Sequence, residues 1–559
     1  MILQQLVEFS SRIPDLCPSM YSSLPIKWQV ELDSGGTFLG MTPLSGGDGK
    51  KDVGLRMATP NVKRTSAIKP LLLTDKASYV LGLGAPSPSD SLHFQSFLAL
   101  AGKCAEATKE PSVNAVFSFL QNHARTPIPV GDDVMPGDMM CFRVADTRPT
   151  DLPSVRSFWV TENMAKGERM QCLLCGLEGP VDKVSPVAIK GLGRIGGQSA
   201  GMAIVSANKD AFLSYGAEQA LVAPTCRACG EAYANSINYM LATERYRVFV
   251  GPSVFLFWTS KESEFNPAAL LSQPQEEDVK HLVESYRTGV RTSDLDAQAF
   301  YAMSLSASRS RVVIRDWLST TVPIVQANLA RWFGLQRLLD TDGAARPLGV
   351  KAMTASLYVR KQGKPVDLVK ETSSTAIVRS LVRCAIYGGA LPISVLAQAI
   401  GRNRAEQDVT RPRASLIKAV LHSQLTEYKE DYMEKLDVSC TTPGYLCGRL
   451  LAELEAAQKA DNNPRATIVD RYYGAASSAP ATVFGNLMRN NQSHMSSLRR
   501  DRPGIFKAID RNIQEITAGL KEFPKVLTLK DQALFALGYY HQKTARWAKP
   551  ADTNDEEEK

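Results

Sequence analysis

The 559-residue sequence has no apolar run long enough to cross a bilayer, so no membrane-embedded segment is expected. Its start, Met1-Ile2-Leu3-Gln4-Gln5-Leu6, lacks both the basic and the long apolar segments of a secretory signal, which makes the cytoplasm the default location. A GxxxxGK(S/T) phosphate loop is missing, which argues against ATP-driven unwinding by this chain. The six histidines are dispersed, with no HxxxH, HD or paired-carboxylate cluster at ligand spacing, and this disfavours a metal-dependent nuclease. Asp132-Asp133 is a lone acidic pair in a Gly/Pro-flanked loop and reads as a turn. Tandem repeats and coiled-coil heptads are also lacking. The ten cysteines are mostly scattered, as in a reducing compartment, except for two close pairs.

What is present is an ordinary folded composition, 44% hydrophobic and 22% charged, in a chain too long for a single core. The expected fold is multidomain α+β. Residues 1–371 form a mixed N-terminal part, with a four-cysteine zinc-knuckle region at 168–232. Residues 372–559 form a C-terminal α-helical bundle. In the first part the apolar spacing predicts a helix over Met1–Ser11. It predicts strands at Trp28–Leu32 and Thr37–Leu39 around a Gly35-Gly36 turn, a mobile loop at Gly46–Lys50, a strand at Tyr79–Leu83 and a helix from Leu92. A β-type run at Arg245–Trp258 is broken by Gly251-Pro252; a buried-type strand at Arg311–Ile314 and a helix over Val325–Leu339 come next. After Thr372, helical periods fall at 377–387, 393–400, 415–427, 445–459, 481–498, 505–523 and 531–547. Ile505, Ile509, Ile513, Ile516 and Leu520 form one apolar stripe, and Thr528 before Asp531 reads as the N-cap of the last helix.

The sharpest chemical signal is Cys172-Leu173-Leu174-Cys175 with Cys226-Arg227-Ala228-Cys229, each pair followed by a glycine, Gly176 or Gly230, that permits a tight turn. Four thiolates satisfy tetrahedral zinc and leave no open position, so the site would be structural. A long loop containing Gly191–Tyr215 would be clipped between the knuckles and released on loss of the metal. Four unrelated buried cysteines, or a redox pair, are the alternatives.

Net charge is +8, and it is unevenly spread. Between Tyr301 and Val420 there are 18 Lys and Arg against 7 Asp and Glu, a surplus of eleven, which leaves −3 for the rest. Such a concentration is the footprint of phosphate binding, a solvated basic face being the plainer alternative. Arg309, Arg311 and Arg315 alternate on a strand and so share a face. Arg402, Arg404, Arg411 and Arg413 cluster around a loop before Lys418, where they would track a phosphate backbone. Lys63, Arg64 and Lys69 flank Thr65 and Ser66 in a further basic loop. In the bundle, Arg489, Asn490, Asn491, His494, Arg499 and Arg500 line or follow one helix. Arg471, Tyr472 and Tyr473 precede a small-residue stretch; tyrosines in bundles are more often core than base-stacking, and Trp317 and Trp332 also read as core anchors.

Segments spread along nearly the whole chain, in order, resemble the large subunit of type I-C CRISPR complexes, the Csd family. They include the opening Met1–Leu6, Lys63–Pro70, Asp75–Leu83, Lys190-Gly191, Gly197–Gly201 and Ser206–Gly216. Further on come Arg309–Arg311 with Trp317, Arg413–Lys418, Asp470–Gly474 and Leu537–Gln542. The resemblance implies a non-catalytic protein that sits near the 5′ end of a CRISPR guide RNA held by backbone and guide-end subunits. It would inspect double-stranded target DNA for the PAM, assist R-loop formation and offer a platform for a helicase-nuclease. Related large subunits probe the minor groove with a glycine-containing loop, a glutamine wedge and a lysine finger. Here Gly197, Gln198 and Ser199, flanked by Lys190 and Arg194, supply the loop and the amide. One lysine of the Lys63–Lys69 loop could reach the PAM, and the 402–418 cluster could follow the displaced strand. The four cysteines are not universal in that family, which makes zinc a local stabiliser of this branch.

The resemblance also implies a small subunit, residues 433–559, made from an internal start at Met433. Lys429-Glu430-Asp431 can be encoded by a purine run like a ribosome-binding site. Two rivals remain open: a stand-alone zinc-containing RNA-binding scaffold, and a metal-dependent nuclease.

Overall fold

The computed structural model describes residues 1–14, 16–44, 54–62, 68–163, 168–207, 209–214, 216–288, 298–308, 311–359, 366–371, 376–429 and 431–546. The expected loop at Gly46–Lys50 and the residues Lys63, Arg64, Thr65, Ser66, Arg309 and Ser310 lie outside them. The chain forms two compact units, Met1–Val187 with Val205–Ser236, and Ala188–Ile204 with Ile237–Lys559.

The first unit opens with α1 (Ile2–Ser10) and strands β1 (Tyr21–Ile26), β2 (Trp28–Leu32), β3 (Phe38–Pro43), β4 (Leu55–Pro60) and β5 (Thr74–Lys76). Helices α2 (Ala77–Val80), α3 (Leu92–Thr108) and α4 (Pro111–Arg125) come next, then β6 (Met139–Val144), α5 (Pro153–Asn163), and strands β7 (Arg169–Gln171) and β8 (Glu178–Pro180). Helix α6 (Arg227–Ala242) begins in this unit. The main sheet has the order β3-β2-β6-β5, with β2 parallel to β6 and the other neighbours antiparallel. Gly36, at φ +89°, makes the turn between β2 and β3 as the glycine pair indicated. Val30, Phe94, Val113, Phe119, Phe142 and Trp159 close the core, and Trp159 Nε1 donates to the Met20 carbonyl at 3.0 Å.

Tyr79–Leu83 is not a strand. The chain passes from β5 straight into the single turn of α2, where Ala77, Tyr79 and Val80 are all buried. A short segment buried on all sides has no apolar period to separate helix from strand.

The second unit holds β9 (Arg247–Val250), β10 (Ser253–Thr259), α7 (Pro267–Ser272), α8 (Glu276–Thr288), β11 (Ala299–Ser308) and β12 (Arg311–Thr321). Its helices continue as α9 (Val322–Gln336), α10 (Val350–Ala355), α11 (Leu368–Glu371), α12 (Ala376–Tyr387), α13 (Ile393–Glu406) and α14 (Arg411–Ser423). The last five are α15 (Pro443–Asp461), α16 (Ile468–Ala476), α17 (Phe484–Asp501), α18 (Pro503–Ala518) and α19 (Leu529–Ala545). An antiparallel meander, β12-β11-β10-β9, meets the helices in one apolar core that runs from Val248 to Tyr540, on both sides of the composition change at residue 372. The strand at Arg311 is longer and less buried than expected, because β12 is a sheet edge.

Thr528 caps α19: its hydroxyl accepts from the Asp531 N–H at 3.2 Å, and Asp531 accepts from Thr528 in return. Ile509, Ile513 and Ile516 of the predicted stripe are buried, whereas Ile505, in the first turn of α18, is exposed. Helices α15 and α19 meet backbone to backbone. A Cβ at Gly444 would fall 2.5 Å from the Asp531 carbonyl oxygen, one at Gly448 2.0 Å from that of Phe535, and one at Gly538 2.2 Å from that of Tyr445. Beside this seam, buried Arg449 donates Nε to Gln542 Oε1 at 2.8 Å, and Gln542 Nε2 donates to Glu453 at 2.7 Å. Among the described residues, no helix is long and apolar enough to cross a membrane.

Candidate metal centre and nucleic-acid interface

The four paired cysteines converge in the first unit. Cys172 and Cys175 sit in the turn of the β7–β8 hairpin, with Gly176 at φ +76° and its N–H donating to the Cys172 carbonyl at 2.9 Å. Cys226 and Cys229 lie just before and within the first turn of α6, and an isolated bridge between Val181 and Cys226 ties that turn to the hairpin. All four Sγ atoms lie within 4.8 Å of one another. Tetrahedral zinc with Zn–S bonds of about 2.3 Å places sulfurs about 3.8 Å apart, and Cys175 and Cys226 Sγ stand at 3.9 Å.

The donor chemistry fits as well. Burial raises the Cys172 thiol, but backbone N–H groups of Cys175, Cys226 and Leu174 outweigh it and bring its pKa down to about 6. Burial instead pushes Cys229 up, so a cation is what would bring all four to thiolates together. Cys172 and Cys229 are buried and Cys175 is exposed. These residues could hold a metal ion and leave it no open position.

Gly230 differs from its expected part. It is helical, and its missing side chain makes room for Pro186, whose Cγ lies 2.9 Å from where a Cβ would be. The segment between the knuckles is also divided, since Ala188–Ile204 belongs to the second unit.

That segment is the glycine loop. Ile189 and Met202 exchange backbone hydrogen bonds of 2.8 and 2.9 Å and close its neck. Asn238 clamps the neck from α6, accepting from the Lys190 N–H at 2.8 Å and donating to the Ala188 carbonyl at 3.0 Å. Leu192 and Ile195 are buried beneath it, whereas Gln198, Ser199 and Ala200 stand exposed at the tip. Gly201 turns the chain back at φ +98°, with only 2.7 Å between its Cβ position and that of Ala188. The backbone is thus fixed while the amide of Gln198 is presented to solvent.

Cations surround the loop. Lys190 and Arg194 are exposed, and the guanidinium of Arg194 lies 5.5 Å from the Phe249 ring, which Arg247 covers at 5.4 Å. Ala203 bridges to Arg311, with the Val312 N–H donating to the Ala203 carbonyl at 3.0 Å, so the loop reaches from β9 to the start of β12. Two regions that the sequence treated separately are therefore adjacent. Arg315 departs from simple alternation: a bulge at Ser304/Leu305 leaves it unpaired in register, and its Nε donates to Ser306 at 2.8 Å.

The 402–418 cluster is largely internal. Arg402 and Arg404 end α13 and Arg411 and Arg413 lie in the first turn of α14, whose second residue is Pro412, so the four flank the short connection between the two helices. Arg413 is 1% exposed and pairs with Glu406, which also pairs with Arg402, while Arg411 faces Asp340 at 3.6 Å. Lys418 is fully buried and donates to the carbonyls of Gly334 and Leu335 at 3.1 and 3.2 Å, at the C-terminal end of α9. Desolvation lowers its pKa to about 8. The charges of Arg413 and Lys418 are thus consumed within the fold in this conformation, and only Arg404 of the group is exposed.

Exposed Lys69 lines a cavity of about 590 Å³ in the first unit with Lys103, Trp159 and Arg227. Arg489, Arg499 and Arg500 are exposed on α17; Arg499 lies over Phe506 at 4.7 Å and Arg500 pairs with Asp501. Trp332 is buried as expected, while Trp317 is half-buried and stacks on Tyr301 with centroids 5.7 Å apart. Asn238 and Arg247 escaped the sequence reading. The alternation Arg245-Arg247-Phe249 could have flagged Arg247, but nothing local marks Asn238, whose partner Lys190 is far away in sequence.

The family model described as CRISPR-associated protein (Cas_Csd1) matches residues 3–547. No curated protein matches the chain.

Proposed function

The chain belongs to the Csd1 family of CRISPR-associated proteins, and on that premise we propose that it is the non-catalytic large subunit of a type I-C interference complex. In this role it reads the PAM of double-stranded DNA, helps open the duplex for the guide RNA and helps recruit the helicase-nuclease. The observation that carries the reading is the glycine loop. Its neck is clamped by Asn238, its tip exposes Gln198 and Ser199, and Lys190, Arg194 and Arg311 stand around it. A rigid backbone that holds an uncharged amide forward, with cations behind it, suits close approach to base edges while phosphates are held alongside.

Zinc in the four-cysteine site then has a structural part, holding the β7–β8 hairpin against the start of α6. A small subunit starting at Met433 would comprise α15–α19, whose residues Tyr445, Leu450, Ile509, Ile516, Phe535 and Tyr539 pack in the core that they share with the preceding helices.

The test is a gel shift of the assembled complex, with and without this subunit, on matched duplexes carrying a functional or scrambled PAM at fixed salt. PAM-dependent binding that requires the subunit supports the reading. Binding indifferent to both the PAM and the subunit would refute it and favour a scaffold that binds RNA.

A further inference from the structure

A groove of about 550 Å³ lies in the second unit between the end of α15, the start of α16 and α17, within the range of ordinary ligand sites. Its floor is apolar, with Leu454, Ile468 and Leu487. Asn491 reaches it from α17. This side chain is 5% exposed, and its Oδ1 is buried without a hydrogen-bond partner among the described residues. An amide oxygen is costly to leave so, and the groove is the open space that could bring it a donor.

The rim has the complementary character. Arg471 and Arg489 are exposed, and among the described residues no acidic side chain lines the groove. His494 is paired with Asp461 at 2.8 Å. Tyr473 is core, but its neighbour Tyr472 lines the groove and is 39% exposed, which separates two tyrosines that the sequence could not tell apart. The start of α16 is not an open anion site: the Thr467 N–H donates to Asp470 at 2.6 Å and the Ile468 N–H to Gln458 at 2.9 Å.

A ligand for this groove needs a flat face for Tyr472, an N–H for Asn491 and negative charge for the two arginines. We propose that it receives one unpaired nucleotide of a single-stranded nucleic acid. The base edge donates an N–H to Asn491 Oδ1, the ring lies on Tyr472, and the flanking phosphates meet Arg471 and Arg489. Every base offers an N–H on its edge, so the groove selects for unpaired bases rather than for a sequence. DNA and RNA share this chemistry. The inference rests on the nucleic-acid role proposed above and assigns it a second point of contact.

The experiment titrates the full chain with short single strands, DNA and RNA of one sequence, each carrying a central 2-aminopurine. Anisotropy reports affinity, and quenching reports stacking. Wild-type protein is expected to quench at least one of the two strands, and which one identifies the source. Tyr472→Ala should abolish the quenching and weaken binding about fivefold or more. Asn491→Leu should weaken binding while leaving the thermal midpoint unchanged or raised, because it replaces an unpartnered buried acceptor by an apolar group of similar size. Should Asn491→Leu lower the midpoint, exposed Tyr472 decides the matter alone. Absence of quenching by the wild type, or variants that bind and quench as it does, would overturn the groove assignment. The same preparations in the PAM gel shift separate the two readings, since an intact PAM-dependent shift with a silent groove refutes this inference only.

Discussion

The Tyr445 hydroxyl lies 2.9 Å from His541 Nδ1 in the buried contact of α15 with α19, and it also accepts the Asp437 N–H at 3.0 Å. The hydroxyl thus joins the loop before α15 to the imidazole buried in α19. Burial, then the nearby Lys418 charge, lower the His541 pKa to about 3; Met433 and Asp437 oppose this weakly. Burial with Lys418 and Arg331 likewise lowers His422 to about 4.

Both folded-state values lie below the unfolded one, so the unfolded chain binds more protons under pH of about 6.5. The contribution of these histidines is complete above that pH and is lost as the pH falls towards 4 and 3. Each should cost about 1.4 kcal/mol per pH unit within that window. Thermal midpoints measured from pH 7.5 to 5 should show it, and His541→Gln should flatten the dependence relative to wild type. Parallel curves would show that folding leaves the His541 pKa unshifted.

Lys418 is the cation that caps α9. Lys418→Ala removes its packing and leaves the carbonyls of Gly334 and Leu335 without their donor, with an expected loss of about 2–5 kcal/mol. Denaturant midpoints check this. Arg404→Ala, at an exposed position, should change stability by less than about 0.5 kcal/mol.

Metal analysis of protein purified without chelator is expected to find one zinc per chain, lost in Cys226→Ser. Loss of the metal should act locally. The β7–β8 hairpin and the start of α6 should exchange amide hydrogens faster. The neck at Ile189–Met202 should stay protected, because its hydrogen bonds and Asn238 lie in the second unit. Equal loss of protection at both places would restore the simpler picture of a single loop clipped by metal.

Gln198→Ala should leave stability unchanged, since the side chain is exposed, and weaken R-loop formation more than non-specific DNA binding. Asn238→Ala should act on the same readout through the shape of the neck, and, unlike Gln198→Ala, should lower the thermal midpoint by loosening two hydrogen bonds. Equal loss of specific and non-specific binding in Gln198→Ala would argue against a wedge.

Elements with a clear period or a capping signal were legible in the sequence. Thr528 and Asp531 mark the start of α19, Gly35-Gly36 the β2–β3 turn, and Gly251-Pro252 the break between β9 and β10. The cysteine spacing was legible too, because two CxxC units carry their own geometry. Charge was the least legible. Arg413 and Lys418 look the same in sequence as Arg404, yet two are buried by packing from α9 and Glu406, and spacing along the chain cannot report that. Helix α16 was missed because its Tyr472-Tyr473 pair faces opposite surroundings, and α6 because its buried positions include Cys229 and the polar Ser236, which blur an apolar period.

A helix pair held by interlocking side chains can slide by one turn and find new partners. Helices α15 and α19 have no such freedom. Gly444 and Gly448 are one turn apart, so a slide in one direction brings Ala452 against the Phe535 carbonyl, where a Cβ has no room. Gly538 blocks movement in the same way, since either Leu534 or Gln542 would take its place against Tyr445. The alignment of the pair is written in missing atoms, and Gly448→Ala should cost about 1–3 kcal/mol in a denaturation experiment. The alignment of this pair is therefore set by its two backbones, and exchanging the side chains around the seam should leave it unchanged.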